Sequence, residues 1–144
     1  MKHVLKILGI ILLIAFLNRC GLNYVEKENL ARQWMITEFN GYTKDFLVKS
    51  GGYIDFSPTK TNPNQYGAYM GCNQMFLNAV FLSEREVKFS NIGGTEMYCE
   101  ETMKLEQDFV QKLPEMKAYK VEGHFLTLSD GKGNTMRFVA ADWD

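Results

Sequence analysis

The residues of this 144-residue chain with chemistry to offer are three cysteines, two histidines and a few neighbouring carboxylates. Cys20 directly follows an uncharged run and is placed for acylation of its thiol. Cys72 and Cys99 lie far from it and can pair by oxidation, which would leave no odd thiol. Such a bridge closes a loop of about 28 residues and contributes roughly 3.5 kcal/mol in the chain-entropy model. The alternatives are two buried free thiols behaving as small hydrophobes, or a zinc site that adds His124. Structural zinc wants four ligands, usually in close pairs, and these three residues stand singly. The chain holds no Cys-x-x-Cys. Neither cysteine has an evident helix-start or basic setting of the kind that makes a thiolate reactive.

Acid–base and nucleophilic catalysis find little to work with. His3 lies in the leading segment, which leaves His124 beside Gly123, in a position that reads as a hairpin turn. A nucleophile–histidine–acid relay needs a positioned hydroxyl or thiol and an orienting carboxylate, and no local motif supplies them. Glu100-Glu101 reads more simply as a helix start, and Glu84 with Glu86 as a solvated turn. Asn73 can contact a ligand or bond nearby backbone, the commoner use of asparagine at a bend. Thr95 can begin or cap the turn that leads into a helix. Tyr66 and Tyr69 can form an aromatic binding surface, although alternating strand aromatics more often face a core. No catalytic residue, metal or cofactor is assigned.

The elements that would position these residues follow from hydrophobic period. Arg32–Phe39 reads as a strand with Trp34, Ile36 and Glu38 on one face, and Phe46–Val48 as a short second strand. Tyr53–Phe56 follows the turn at Gly51-Gly52, and Ser57–Gln65, with two of the three prolines, is a loop. Tyr66–Cys72, Met75–Leu82 and a strand carrying Val87, Phe89 and Asn91 come next, the last ending at Gly93-Gly94. The helix signal is concentrated near residues 100–113, where Leu105, Phe109 and Leu113 repeat every four residues and Met103 and Val110 widen the stripe. Glu100, Glu101 and Lys112 suit the helix dipole, and Pro114 stops the helix. Ala118–Glu122, Phe125–Leu128 and Thr135–Val139 close the pattern as strands, with Gly131 and Gly133 in the last turn. Strands, one main helix and more strands indicate an α+β domain. Its sheet is expected to be antiparallel and strongly curved, or a partly open β-barrel.

The first segment meets a different solvent. Lys2 and Lys6 precede the uncharged run Ile7–Leu17. As a helix it spans roughly 16 Å, short of a ~30 Å hydrocarbon core, and it fits a signal-peptide core better than a membrane span. Residues 1–19 are therefore expected to be a signal peptide or an uncleaved N-terminal anchor, residues 20–29 a tether and residues 30–144 the domain. Leu17 suits a lipoprotein signal before Cys20, whereas Asn18 and Arg19 depart from it. Loss of residues 1–19 removes Lys2, Lys6 and Arg19, leaving 13 basic against 17 acidic residues, a net charge of −4. An acidic domain without a basic run is a poor partner for nucleic acid.

Gly71-Cys72-Asn73, followed by a strand hairpin and then Thr95-Glu96-Met97-Tyr98-Cys99, resembles the G-C-N and T-x-M-x-C signatures of the META/HslJ domain family. Trp34, the helix face Glu106, Phe109 and Leu113, then Tyr119, Gly123, Leu126, Leu128 and the Gly133–Phe138 segment follow in family order, so the resemblance covers about residues 30–139. It implies a small exported or envelope protein without an established catalytic activity, in some members linked to stress or antibiotic tolerance. It also implies a Cys72–Cys99 disulfide, with Gly71, Asn73, Thr95 and Met97 as structural motif residues. The expected partner is the membrane, through a lipid on Cys20 or the N-terminal helix, with the domain facing the periplasm or cell exterior. An envelope protein or a hydrophobic ligand held in an apolar pocket is the alternative, a design that secretion pilot lipoproteins and small lysozyme inhibitors resemble.

Overall fold

The computed structural model describes residues 29–82 and 85–143. The expected export segment, the expected lipidation at Cys20 and the expected tether as far as Glu28 fall outside the described residues. The chain runs through β1 (Gln33–Phe39), α1 (Lys44–Ser50), β2 (Tyr53–Asp55), β3 (Gln65–Tyr69), β4 (Gln74–Phe81) and β5 (Val87–Gly94). It continues through α2 (Met103–Lys112), a 3-10 turn (Leu113–Glu115), β6 (Ala118–Glu122), β7 (Phe125–Ser129) and β8 (Thr135–Ala140). The strands form one eight-stranded sheet in the order β5-β4-β3-β2-β1-β8-β7-β6, each neighbouring pair antiparallel.

The sheet curls until its edge strands touch. A single bridge joins Glu86 to Ala118, and the Val87 N–H donates to the Lys117 carbonyl at 2.9 Å. This is the partly open barrel that the strand–helix–strand order predicted. Phe81 of β4 meets Tyr119 of β6 edge-on at 5.1 Å, so an aromatic contact reinforces the sparsely bonded seam.

Strand alternation fills the interior. Met75, Leu77 and Ala79 of β4, Leu126 and Leu128 of β7, and Met136, Phe138 and Ala140 of β8 are all buried. Helix α2 lays Leu105 and Phe109 into the same core, with Leu113 following from the 3-10 turn. Each such large side chain contributes about 1.5–3 kcal/mol relative to exposure. Trp34 is fully buried, and its indole N–H donates to the Leu30 carbonyl at 2.9 Å, so the chain's entry into the domain is fixed by a core residue.

Four expectations change. Phe46–Val48 is helical, not a strand: the Thr43 hydroxyl accepts from the Phe46 N–H and Gly51 ends the turn at φ +63, so caps prevail over local strand propensity. Only Leu47 of α1 is buried. Glu38 faces solvent because the register of β1 against β8 shifts between Ile36 and Glu38, a bulge that brings Phe39 inward instead. Asn91 does not continue the inward face of Val87 and Phe89, since its backbone turns to φ +50 and its side chain is exposed. Helix α2 begins at Met103 rather than Glu100, because the residues before it are tied to the β3–β4 bend.

Candidate functional site

The two cysteine-bearing motifs meet at that bend. Cys72 and Cys99 form a disulfide with S–S 2.07 Å across 27 positions of sequence. It fastens the turn between β3 and β4 to the segment entering α2. The zinc grouping is not assembled: both thiols are consumed, and His124 sits in the β6–β7 turn with its ring stacked on Trp143. Among the described residues no three His, Cys, Asp or Glu side chains are grouped to hold a metal ion.

Asn73 is the centre of the motif and the one buried polar residue among those described, at 2% exposure. Its Oδ1 accepts from the Thr95 hydroxyl and from the Met97 N–H, both at 2.7 Å. Its Nδ2 donates to the Met97 carbonyl at 3.1 Å and to Glu106 Oε1 at 2.8 Å. An amide side chain has two donors and two acceptor lone pairs, so all four are used. The Asn73 backbone N–H donates to the other Glu106 oxygen at 2.7 Å. Thr95 therefore does not cap the helix turn, as one reading of its position had it; its hydroxyl is turned to Asn73 instead.

Gly71 completes the bend. Its φ is +95, and a Cβ there would lie 2.8 Å from Thr102 Cγ2. The close approach lets the Thr102 hydroxyl donate to the Gly71 carbonyl at 2.9 Å. The motif residues are thus joined into one polar node that locks helix to sheet. Gly71, Asn73, Thr95 and Met97 all take part in this node through side-chain or backbone atoms. Glu106 and Thr102 are the partners that sequence reasoning did not single out for this role. The available signal was a carboxylate on the apolar face that carries Phe109 and Leu113.

Tyr66 is core, edge-on to Phe56 at 5.3 Å, while Tyr69 meets Tyr53 at 5.9 Å, so the two tyrosines do not share one surface. A second polar link ties α2 to the β1–α1 loop. The Tyr42 hydroxyl donates to Asp108 Oδ2 at 2.6 Å, and Lys104 donates to the same oxygen at 2.6 Å. Burial pushes the Tyr42 phenol well above its usual range, and the bond to Asp108 and its charge add to this. The Lys104 and Tyr42 bonds hold the Asp108 carboxyl below its ordinary range against some desolvation.

A concavity with apolar lining lies on the outer face of β1, β8 and β7. This groove of about 460 Å³ is bordered by Val48, Phe125, Val139 and Trp143, with the Glu38–Arg137 ion pair in its wall at 3.0 Å. Val48 is 60% exposed, Trp143 47% and Phe125 41%, so the apolar lining faces water. Trp143 stacks flat on His124 at 5.0 Å and meets Phe125 edge-on at 5.2 Å. Sequence reasoning gave no role to this aromatic corner.

Comparison with known proteins agrees with this architecture. The fold is shared with a Burkholderia xenovorans protein solved by NMR, at TM-score 0.64 and 16% identity over 83% of this chain and 88% of that one. A DUF4847 family protein from Bacteroides vulgatus ATCC 8482, solved by crystallography, matches at TM-score 0.57 and 13% identity over 83% and 99%. Identities this low speak for the fold alone. No curated protein matches the chain. The sequence profile described as the META domain matches residues 28–143, from the chain's entry beside Trp34 to Trp143. That span contains both cysteine motifs and every strand described above, and the chain belongs to the META domain family.

Proposed function

We propose that the chain is a non-catalytic protein of the bacterial cell envelope. A lipid on Cys20 or an uncleaved N-terminal helix holds it at a membrane, and its META domain acts outside the cytoplasm in envelope stress or antibiotic tolerance. The observation that carries this reading is the node around Asn73. Its polar atoms bond one another and its thiols are oxidised, a state that persists in oxidising compartments. The groups that resemble a family signature act as structural ties, which supports the reading of a rigid domain outside the cytoplasm.

Intact mass spectrometry of the protein from a native membrane fraction, before and after reduction and alkylation, tests the reading. The expected mass is that of acylated residues 20–144, or of an uncleaved chain that stays in the membrane fraction, with two thiols alkylated only after reduction. A full-length soluble protein with three free thiols would overturn it.

A binding module is the second reading, favoured by the water-facing apolar groove at Val48, Phe125, Val139 and Trp143. It would take a hydrophobic ligand or a protein partner. Its sign would be a fluorescent long-chain fatty acid bound by the wild type and lost in Val48→Glu, a change at an exposed position.

A further inference from the structure

The described chain begins beside its own end. Asn29 is three residues from Arg32, whose guanidinium pairs with Asp142 at 3.3 Å. The Ala141 N–H donates to the Gln33 carbonyl at 3.0 Å. Trp143 follows, held by its N–H to the Ala140 carbonyl and by the stack on His124, and the Ala140 N–H donates in turn to the His124 carbonyl at 2.9 Å. Entry strand, exit strand and the β6–β7 turn are therefore bonded into one corner of the domain. That corner carries an indole and a phenyl ring whose faces are not fully covered.

Length then limits what this corner can meet. Eight residues separate Cys20 from Asn29. Fully extended, that stretch reaches at most roughly 32 Å, and any less extended path brings the corner nearer to the anchor. Exposed apolar side chains occur elsewhere, at Phe76, Tyr98 and Val80, but the chain does not enter the domain at any of them. Tryptophan favours the boundary between water and hydrocarbon, where its ring is apolar and its N–H stays wet. The Arg32 guanidinium alongside is neutralised by Asp142 and brings no unpaired charge, so the corner's contact with lipid is apolar.

Resting on the membrane-anchored reading above, we infer that the corner formed by Arg32, His124, Phe125 and Trp143 is a lipid-contact surface. Trp143 and Phe125 enter the headgroup–acyl boundary of the membrane that holds the tether. Docking there sets the orientation of the domain: the sheet end carrying the β6–β7 turn faces the lipid, while the Asn73 node is carried on another part of the molecule.

The test uses the full chain purified from membranes and reconstituted in phosphatidylcholine vesicles with brominated acyl chains. Trp34 is fully buried and serves as the internal reference for Trp143. The expected result is flotation with the vesicles, loss of the Trp143 share of the emission relative to unbrominated vesicles, and no such loss in Trp143→Phe. Flotation with equal emission in both kinds of vesicle would overturn the lipid-contact surface and leave the anchor standing. Failure to float would overturn the anchor, and the surface with it. Circular dichroism of Trp143→Phe, at an exposed position, checks that its fold is retained.

Discussion

The Glu106 carboxylate grips Asn73 by both of its nitrogens, accepting from the backbone N–H at 2.7 Å and from the side-chain amide at 2.8 Å. Helix and sheet are thereby joined across 33 positions of sequence by two charge-assisted bonds on a residue that water barely reaches. Such bonds are stronger than neutral ones, and a buried donor left unpaired costs its full desolvation.

Glu106→Gln tests that join. The amide offers one acceptor and one donor to two donors, so one bond is lost and one N–H faces another. The expected loss is about 2–3 kcal/mol by urea unfolding. Asn73→Ala should cost a similar amount, and the double variant little more than the worse single, since the two residues act as one unit. Additive losses would show that the node is not cooperative.

Reduction of the Cys72–Cys99 disulfide releases the loop of 27 positions between the β3–β4 bend and α2. The loss expected from chain entropy is roughly 3.5 kcal/mol, which lowers Tm by roughly 15 °C for a domain of this size. Calorimetry with and without reductant reads it directly. An unchanged melt would mean that the node alone holds the bend.

Strand alternation made most of the sheet legible in advance. Trp34 with Ile36, Met75 with Leu77 and Ala79, and Leu126 with Leu128 stand two apart because one face of each strand is buried. Helix α1 departs from the expected strand because Phe46 and Val48 favour strands, while the deciding groups are Thr43 and Gly51 at its ends. The bulge near Thr37 was invisible because it depends on how β1 registers with β8, about a hundred residues away. At the node, Asn73 and Thr95 could be marked by their motifs. Their partnership with Glu106 required topology to place helix and bend together. The corner at Trp143 had no pattern at all, because ordered contacts between a turn and a chain end leave no period.

Gly71→Ala separates backbone strain from crowding. Gly51 has φ +63 and open space, with nothing within 4 Å of where a Cβ would stand, so Gly51→Ala reports left-handed strain alone, about 1–2 kcal/mol. Gly71 adds the Thr102 side chain at 2.8 Å. Its alanine variant should lose at least about 1 kcal/mol more than Gly51→Ala in urea unfolding. Equal losses would show that Thr102 yields without cost.

The bond from Tyr42 to Asp108 predicts stability changes at both ends of the pH scale. The Tyr42 phenol is raised in the folded state, so its contribution is complete below the unfolded value near 10 and is lost as pH rises from there toward the folded value. Asp108 is lowered, so its contribution is complete above the unfolded value near 4 and is lost as pH falls through the folded value. Tyr42→Phe keeps the ring stacked between Phe39 and Phe46, at 5.6 Å from each, and deletes only the hydroxyl. At pH 7 it should cost about 1.5–3 kcal/mol, the range for a hydrogen bond to a charged group. Above pH 10 the gap to the wild type should narrow, because only the wild type gains stability in the unfolded state by ionising this phenol. Below pH 4 it should narrow again as Asp108 takes up a proton. Thermal melts of both proteins from pH 3 to 11.5 check this, and a gap that stays constant across that range would remove the Tyr42–Asp108 bond from the account of what ties α2 to the β1–α1 loop.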